Sequence, residues 1–472
     1  KEKVEDINNP STYSGISFRS IGPAIASGRV IDLAFNPTNF DEFYVAVASG
    51  GVWKTTNHGT TFSPIFDNES SYSIGCITID PKNTNVIWVG SGENNSQRSV
   101  SYGDGVYKSE DGGKSWKNLG LKLSEHIGKI IIDPNNSDIV WVAAQGPLWK
   151  AGGDRGLYKT TDGGKTWEKS LEISENTGVS DIVIDPRNSN ILYASAYQRR
   201  RHVWTLINGG PEGAIYKTVD GGKTWDKLTK GLPSGDIGRI GLAISNVDPD
   251  YVYAIVEATE NNGGFFKTTD RGASWSKQSD HVSGSPQYYQ EIVTHPHDKD
   301  IVYSLSTYTQ VTYDGGKTFS TLPLSEKHVD DHAIWINPDN PDNMFIGCDG
   351  GLYETFDAAN NWRFFENLPI TQFYRVTVDN DYPFYNVYGG TQDNNTLGGP
   401  SRTISDNGIK NEDWIFTIGG DGFKTVVDPK DPNIIYSQPQ YGFLVRYDKK
   451  SGEFTGIQPQ QAKDEILKWN WN

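Results

Sequence analysis

The chain has 472 residues, of which 35% are hydrophobic, 12% are aromatic and 51 are glycines, a balance typical of many short strands joined by tight turns. Its formal net charge of −16 argues against nucleic acid or an anionic membrane surface as a partner, because both require a cationic face. No apolar run is long enough to cross a bilayer, so no transmembrane segment is predicted.

The chain starts at Lys1 without an initiator methionine, which predicts a processed or incomplete N-terminus and hence export. We expect an extracytoplasmic location, meaning secreted, cell-surface or periplasmic. Residues 1–17 are predicted to be an N-terminal extension, residues 18–457 a repeat region, and residues 458–472 a C-terminal segment that could begin further repeats.

One short phrase recurs seven times between Thr55 and Trp362, and its clearest copy is TTDGGKTW at residues 160–167. The phrase predicts a hairpin, because the Asp carboxylate can accept hydrogen bonds from turn backbone N–H groups and glycine tolerates positive φ. The tryptophan then begins the return strand and packs between neighbouring sheets. We therefore assign the Asp, Gly and Trp residues of the phrase a structural role in place of a catalytic one.

Two further strands precede each phrase. In the third unit a β-branched run ends in an Asp-Pro turn at residues 129–134, and an aromatic strand follows at residues 139–143. Four antiparallel strands per unit predict an all-β fold, a β-propeller built of four-stranded blades. About nine units can be counted, which exceeds the usual eight blades of one ring. The chain therefore either builds an unusually large ring or runs into a second one.

The repeated phrase resembles the Asp-box, or BNR repeat, of sialidases, xyloglucanases and sortilin-type receptors. Residues 18–457 resemble more narrowly the sortilin-like Asp-box propeller proteins of exported bacterial type, which are often labelled glycosyl hydrolases. Supporting stretches are residues 18–23, 28–30, 50–54, 103–108, 389–394 and 419–423. The resemblance implies a propeller fold, but the same fold carries both enzymes and receptors.

The motifs of the known enzymes are incomplete here. Residues 18–23 only loosely resemble the opening motif of sialidases, and the remaining arginines do not fall at matching positions. The resemblance to xyloglucanases implies a catalytic Asp in the first blade, at a position where this chain has Ala48. Residues 348–353 have the same shape with the acid present, as Asp349, but they belong to a later unit.

Polar residues outside the repeated phrase are expected to converge on one mouth of the propeller channel, next to paired glycines that permit close approach of a ligand. Three interpretations stay open: two carboxylates acting on a glycosidic bond, a metal site, or polar groups that satisfy one another. In an extended strand His328 and His332 would lie about 13 Å apart, too far to share an ion, so no metal or cofactor is predicted. The catalytic candidates are Asp331, Asp349, Asp393 and Asp421, and the polar ligand-binding candidates are Glu93, His328, Asp330, His332, Gln392 and Asn394.

Two long insertions carry exposed aromatic candidates, Trp149 and Trp204, which could stack on a sugar, anchor a protein interface or fill the seam between blades. Beside Trp204 lies the one basic cluster, residues 199–202, interpreted as a solvated loop with an anion or partner contact as the alternative.

We predict an exported propeller that binds a protein or peptide partner, possibly within a cell-envelope complex, through its loop-bearing face or channel, without catalysis of its own. A glycan is the other ligand considered. The alternative function is that of a glycoside hydrolase-like enzyme acting on a polysaccharide with paired carboxylates at the propeller mouth.

Overall fold

A computed structural model describes residues 13–463 and 467–469, and within these ranges it confirms the all-β propeller prediction. The strands form nine antiparallel sheets, and no helix in the described ranges is long and apolar enough to cross a bilayer. Most of the predicted extension 1–17 and part of the predicted segment 458–472 lie outside the described residues. The 3-10 helices are Lys122–Ser124, Thr259–Asn261, Asn411–Asp413 and Gln440–Gly442.

The chain divides into two compact units, and the larger one spans Ala26–Gln372. It contains seven sheets, blades 1–7, each formed by consecutive strands from the propeller axis outward. Blades 1–4 are β1 (Val30–Phe35), β2 (Phe43–Val47), β3 (Gly51–Thr55) and β4 (Ser63–Pro64); β5 (Ile74–Ile79), β6 (Ile87–Ser91), β7 (Val106–Ser109) and β8 (Lys117–Asn118); β9 (Ile127–Asp133), β10 (Asn136–Ala144), β11 (Gly156–Thr160) and β12 (Glu168–Leu171); and β13 (Thr177–Ile184), β14 (Leu192–His202), β15 (Thr205–Asn208), β16 (Ala214–Thr218) and β17 (Asp226–Lys227). Blades 5–7 are β18 (Ile237–Ile244), β19 (Val252–Ala258), β20 (Gly264–Thr268) and β21 (Ser276–Ser279); β22 (Ile292–Thr294), β23 (Val302–Ser304), β24 (Gln310–Thr312) and β25 (Ser320–Thr321); and β26 (Asp331–Ile336), β27 (Met344–Cys348), β28 (Gly351–Thr355) and β29 (Arg363–Phe364).

The second unit combines the described residues up to Ile25 with the chain from Phe373 onward. Its two sheets, blades 8 and 9, are β30 (Phe373–Val378), β31 (Asn386–Thr391), β32 (Thr396–Pro400) and β33 (Ile415–Ile418), and β34 (Gly422–Val427), β35 (Ile434–Pro439), β36 (Val445–Asp448) and β37 (Phe454–Gly456).

The structure divides the chain differently from the predicted ranges 1–17, 18–457 and 458–472. The N-terminal stretch joins the second unit because the Trp414 indole donates to the Ile21 carbonyl at 3.1 Å and the Ala24 N–H donates to Asn411 at 3.3 Å. All seven repeated phrases lie in the seven-bladed unit, whereas blades 8 and 9 have lost the full phrase. The nine units therefore do not form one large ring. Blades 1–7 form one ring, and blades 8 and 9 belong to the second unit.

Each repeated phrase is a hydrogen-bonded corner. The Asp162 carboxylate accepts from the Thr160 hydroxyl at 2.7 Å and from the Thr166 N–H at 3.0 Å, and Gly163 and Gly164 have φ of 70° and 94°. The Trp167 indole donates to the Leu119 carbonyl of the preceding blade at 2.8 Å. The predicted structural role of the phrase is therefore confirmed, because it closes one hairpin and fastens it to its neighbour.

Side-chain packing closes the seven-bladed unit, because blades 1 and 7 share no strand. Phe35 of blade 1 stacks on Trp335 of blade 7 with ring centroids 3.8 Å apart, and Phe43 and Phe345 extend the same buried cluster. The chain ends of this unit also meet, since the Thr371 hydroxyl donates to the Ala26 carbonyl at 2.5 Å.

The two ends of the seven-bladed unit differ in what they carry. In an antiparallel four-stranded blade, the first and third turns lie at one end of the sheet, and the second turn and the connection to the next blade lie at the other. The Asp-box turns thus occupy the first end, here called the box end. The long insertions occupy the opposite end, here called the loop end.

The Asp-box carboxylates should make the stability of the fold depend on pH. Hydrogen bonds from Ser115 and Ser109 lower the pKa of Asp111 to about 2. A carboxyl whose pKa is lowered on folding stabilises the folded state above its unfolded pKa of about 3.9, and this contribution is lost as pH falls through the folded pKa. We expect Asp111→Asn to be less stable than the native chain at neutral pH and the difference to vanish near pH 2, measured by urea unfolding.

The exposed Glu168 lies outside any Asp-box turn, so Glu168→Gln serves as the control and should leave the pH dependence of stability unchanged. A stability difference for Asp111→Asn that stays constant down to about pH 2 would contradict the assignment.

Candidate functional site

The predicted constellation falls into two groups, one in each unit. The seven-bladed unit holds Glu93, Trp149, Trp204, His328, Asp330, Asp331, His332 and Asp349. The second unit holds Gln392, Asp393, Asn394 and Asp421. Every member lies on a second-turn loop or a connection between blades, or within two residues of one.

Arg29 organises the loop end of the seven-bladed unit. Its guanidinium donates to Asp349 at 2.7 Å and to Glu93 at 3.0 Å, and all three side chains are buried. The Arg29 guanidinium carbon Cζ lies over the ring of Tyr288, 5.2 Å from the ring centroid. The Tyr288 hydroxyl donates to Asp349 at 2.9 Å. His332 is 2.8 Å from the same carboxylate. Residues from blades 1, 2 and 7 and from the connection before blade 6 therefore converge on one ion-pair network.

Asp349 occupies in blade 7 the position that Ala48 occupies in blade 1. The Ala48 N–H donates to the Arg29 carbonyl at 3.0 Å, and the Asp349 N–H donates to the Asp330 carbonyl at 3.1 Å, so both residues begin the same turn. Burial opposes ionisation of Asp349, but the charges of Arg29 and His332 outweigh it and hold the pKa of the Asp349 carboxyl well below its usual value. Asp349 is thus a permanent anion that anchors Arg29.

The run from His328 to His332 turns its side chains to different partners. His328 contacts the Val329 carbonyl through Nδ1 at 2.7 Å, and Asp330 accepts a hydrogen bond from the Tyr289 hydroxyl. Asp331 is completely buried and accepts from Lys327 and from the Thr309 hydroxyl. Within residues 13–463 and 467–469, no group of three or more His, Cys, Asp or Glu residues is arranged to hold a metal ion.

The group in the second unit is held together by backbone contacts. The Asp421 carboxylate accepts from the Asp393 N–H at 2.8 Å, and the Asn394 amide donates to the Gln392 carbonyl at 3.0 Å. Asp393 has a positive φ of 61°. Gln392, Asp393 and Asn394 lie in the second turn of blade 8, Asp421 lies on the connection to blade 9, and their predicted role in catalysis or binding stays a prediction.

The two predicted tryptophans project from the loop end into solvent. Trp149 is 46% exposed and Trp204 is 82% exposed, with the His202 ring stacked on it at 5.3 Å. They do not fill seams between blades, which leaves the two surface roles considered for them, stacking on a sugar or contacting a protein.

A cleft of about 310 Å³ lies at the loop end between blades 1 and 2, within the size range of ligand sites. Its walls are residues 70–72 and 100–104, and Tyr72 and Tyr102 border it with 63% and 73% of their surfaces exposed. Asp104 in its wall accepts hydrogen bonds from the Ser70 hydroxyl at 2.5 Å and the Tyr107 hydroxyl at 2.7 Å.

Glu69 adjoins this cleft through Ser70 and is half-buried. Burial and the nearby negative charge of Asp104 raise the pKa of the Glu69 carboxyl above its ordinary value. The two carboxyl groups are thus close enough to interact electrostatically, and their environments differ. This is the asymmetry that acid and base pairs require.

The channel along the axis of the seven-bladed unit is a smaller site. Its cavity is about 130 Å³, below the usual size of ligand pockets, and its charged lining includes Asp32, Lys129, Asp181, Arg239 and Glu291. Burial raises the pKa of Asp32 to about 7, although two backbone hydrogen bonds favour its anion. The channel is thus a polar core with room for a few waters.

Sequence reasoning missed Arg29, Glu69 and Asp104. Arg29 and Asp104 lie in stretches that carry the resemblance, Gly28-Arg29-Val30 and Gly103-Asp104-Gly105, and a polar residue beside glycine was the available signal. Nothing in the sequence marks Glu69, because its partner Asp104 is 35 residues away.

The comparisons with known proteins place the chain among Asp-box propellers. The BNR/Asp-box repeat family model matches residues 158–169. A xyloglucanase, Xgh74A, of Acetivibrio thermocellus is 26% identical over 46% of this chain and 28% of its own length. A xyloglucanase of Hypocrea jecorina is 20% identical over 89% of this chain and 47% of its own length. The chain thus spans less than half the length of these curated relatives.

Solved structures agree with the fold. The GH74 enzyme of Niastella koreensis superposes with a TM-score of 0.63 at 16% identity, covering 93% of this chain and 67% of that one. The GH74 xyloglucanase of Xanthomonas campestris superposes with a TM-score of 0.60 at 14% identity, covering 94% of this chain and 75% of that one.

These relatives correct the predicted function. The prediction of a propeller that binds a protein or peptide without catalysis is wrong, because the curated relatives that match this chain include several enzymes that cleave xyloglucan. They favour the predicted alternative, a protein of glycoside hydrolase type. The sequence argument against that alternative rested on one position, where this chain has Ala48 in place of a catalytic Asp.

The Arg29 network should behave as a structural ion pair. Asp349→Ala leaves a buried guanidinium with one carboxylate, and removing one partner of such a pair costs about 3–5 kcal/mol. We expect the free energy of unfolding of the seven-bladed unit to fall by that amount in chemical denaturation.

Asp280 offers a matched control, because it pairs with Lys277 at 2.6 Å and its side chain is 93% exposed. Asp280→Ala should cost less than about 1 kcal/mol. Equal losses in the two variants would show that burial of the Arg29 network does not matter to stability.

Proposed function

We propose that this chain is part of a glycoside hydrolase whose substrate is a polysaccharide and whose reacting groups are Glu69 and Asp104. The observation that carries the proposal is an open cleft lined by Tyr72, Tyr102 and Asp104, with the charge of Asp104 acting on the adjoining Glu69. The similarity to xyloglucanases supports the reaction class and a β-glucan as the first substrate to try.

The two carboxyl groups divide the chemistry. A general acid needs a pKa above that of an ordinary carboxyl group, and burial together with the Asp104 charge shifts the pKa of Glu69 upward. Glu69 then donates its proton to the leaving glycosidic oxygen. Asp104, held by the Ser70 and Tyr107 hydroxyls, stabilises the positive charge that develops at the anomeric carbon as the glycosidic bond breaks. A water molecule then adds to that carbon and gives its proton to the Glu69 carboxylate, which restores the acid.

The exposed tyrosines bind the sugar chain in this proposal. Aromatic rings offer flat apolar faces with polar edges, which suits the faces and hydroxyl groups of a pyranose. Tyr72 and Tyr102 line the cleft together with Ser70 and Asp104, so a sugar chain bound there can contact all four residues. Such a substrate is outside the cell, which supports the predicted extracytoplasmic location.

The ion-paired acids have a different role. Asp331 is neutralised by Lys327, and Asp349 is anchored by Arg29, so we assign both to holding the loop end in shape. The catalytic candidates Asp393 and Asp421 lie in the other unit and are retained as the second site to test.

Turnover of polysaccharides tests the proposal. On a panel of xyloglucan, mixed-linkage β-glucan and polygalacturonate, we expect reducing ends to be released from at least one substrate. Glu69→Gln should lower kcat by about 10²–10⁴-fold, the usual contribution of a general acid. The matched control is Glu110→Gln, which removes an exposed carboxylate at the box end and should keep native activity.

No turnover on the panel would contradict the proposal. Activity that survives in Glu69→Gln but is lost in Asp421→Asn would move the reaction to the second unit.

The coupling of the two carboxyl groups can be measured without a substrate. Because the Asp104 charge helps to raise the pKa of Glu69, Asp104→Asn should lower that pKa, as followed by NMR titration of the Glu69 carboxyl carbon. An unchanged titration would show that burial alone sets the pKa of Glu69.

A further inference from the structure

Five arginines gather at the loop end of blades 2, 3 and 4. They are Arg98, Arg155, Arg199, Arg200 and Arg201, here called the arginine cluster. The predicted solvated loop at residues 199–202 is wrong, because these residues extend strand β14 and pair with β15. Arg199 is 1% exposed, and Arg155 and Arg201 are also buried.

The buried members of the cluster are held by neutral acceptors. Arg199 donates to the Asn95 carbonyl at 2.7 Å and to the Ser96 hydroxyl at 3.0 Å, and Arg201 donates to the Ser96 carbonyl at 2.9 Å. Arg155 donates to the carbonyls of residues 145, 147, 150 and 152. The loop of residues 92–105, which forms one wall of the cleft, is therefore bound to the cluster.

Positive charge in the cluster is offset only in part, by the nearby carboxylates of Glu125 and Glu175. In the part of the chain that the structure describes, no carboxylate lies within 4.0 Å of any of the five guanidinium groups, and Glu125 nearby is bound to Lys150 at 2.7 Å. Burial and the neighbouring arginines lower the pKa of Arg199 to about 9, and burial with the Arg200 charge lowers that of Arg155 to about 10.

Two nitrogen atoms in the cluster still lack an acceptor. The buried Nε atoms of Arg199 and Arg200 hydrogen-bond to no atom among the described residues. A buried cation without a counter-charge is costly, and an anion bound close to the cluster would offset that cost. In a chain of net charge −16, five arginines gathered at one place indicate an anionic ligand.

We infer that the arginine cluster binds the carboxylate groups of hexuronic acid residues in an acidic polysaccharide, which makes the substrate of the proposed hydrolase an acidic one. A carboxylate suits the guanidinium fork, and Arg98 is exposed and Arg200 half-exposed, so both can reach a ligand. The exposed Trp204 and Trp149 beside the cluster are platforms for sugar rings. Arg98 and Tyr102 share one loop, so a single chain can contact both the cluster and the cleft.

Binding of trigalacturonate tests this inference by isothermal titration calorimetry with the full chain. The comparison ligand is the same trisaccharide after reduction of its carboxyl groups, which removes the charge and keeps the sugar. We expect the acidic form to bind at least about tenfold more tightly, as one charge-assisted contact provides. The preference should decrease as salt concentration rises.

Variants localise the effect. Arg98→Gln combined with Arg200→Gln should weaken binding of trigalacturonate about tenfold or more, while circular dichroism stays native. The matched control removes two exposed charges at the box end, Lys165→Gln with Lys223→Gln, and should bind as the native chain does. The buried Arg199 is left unchanged because its loss would disturb folding.

The outcomes separate this inference from the hydrolase proposal, because binding does not need turnover. Preferential binding of trigalacturonate without cleavage of any polysaccharide supports the arginine cluster and contradicts the hydrolase. Cleavage of neutral glucans with no preference for the acidic trisaccharide contradicts the cluster alone. Equal weakening in the control pair, or equally tight binding of a short polyglutamate peptide, would also overturn it.

Discussion

The buried ion pair between Arg29 and Asp349 is the interaction on which the loop end depends. It joins the first blade to the last across 320 residues of sequence, and a second bond from Arg29 to Glu93 includes the next blade. Because no strand is shared between blades 1 and 7, the ring closes through the Phe35–Trp335 cluster and this charge network. The network also fixes the backbone around Glu93, whose loop continues into the arginine cluster and the cleft.

Stability and recognition are assigned to opposite ends of the same sheets. At the box end, seven corners close their hairpins through short, local hydrogen bonds, and in four of them the tryptophan indole also bonds to the preceding blade. At the loop end, each blade differs in length and composition, and the exposed aromatics and unbalanced charges are found there. A rigid repeat with variable loops is a common way to place binding groups without disturbing a core.

The fold could be predicted from sequence because its defining contacts are local. In the Asp-box, Asp162 bonds to residues two and four positions away, so a short phrase contains the whole corner. The functional end could not be predicted in the same way. Asp349 is an ion-pair anchor only because Arg29 lies opposite, and Glu69 has a raised pKa only because Asp104 is folded against it. The boundary between the two units at Gln372 could not be predicted either, because blades 8 and 9 follow the same strand pattern as the others.

The interlaced order of the two units has a consequence for synthesis. The Ile21 carbonyl is bound by Trp414, 393 residues later, whereas every blade of the ring is made from consecutive residues. At roughly 5–20 residues per second, a ribosome needs on the order of 20–80 seconds to deliver that partner. The stretch around Ile21 therefore meets Trp414 only after all seven blades of the ring have been synthesised, so the second unit is completed later than the residues of the ring.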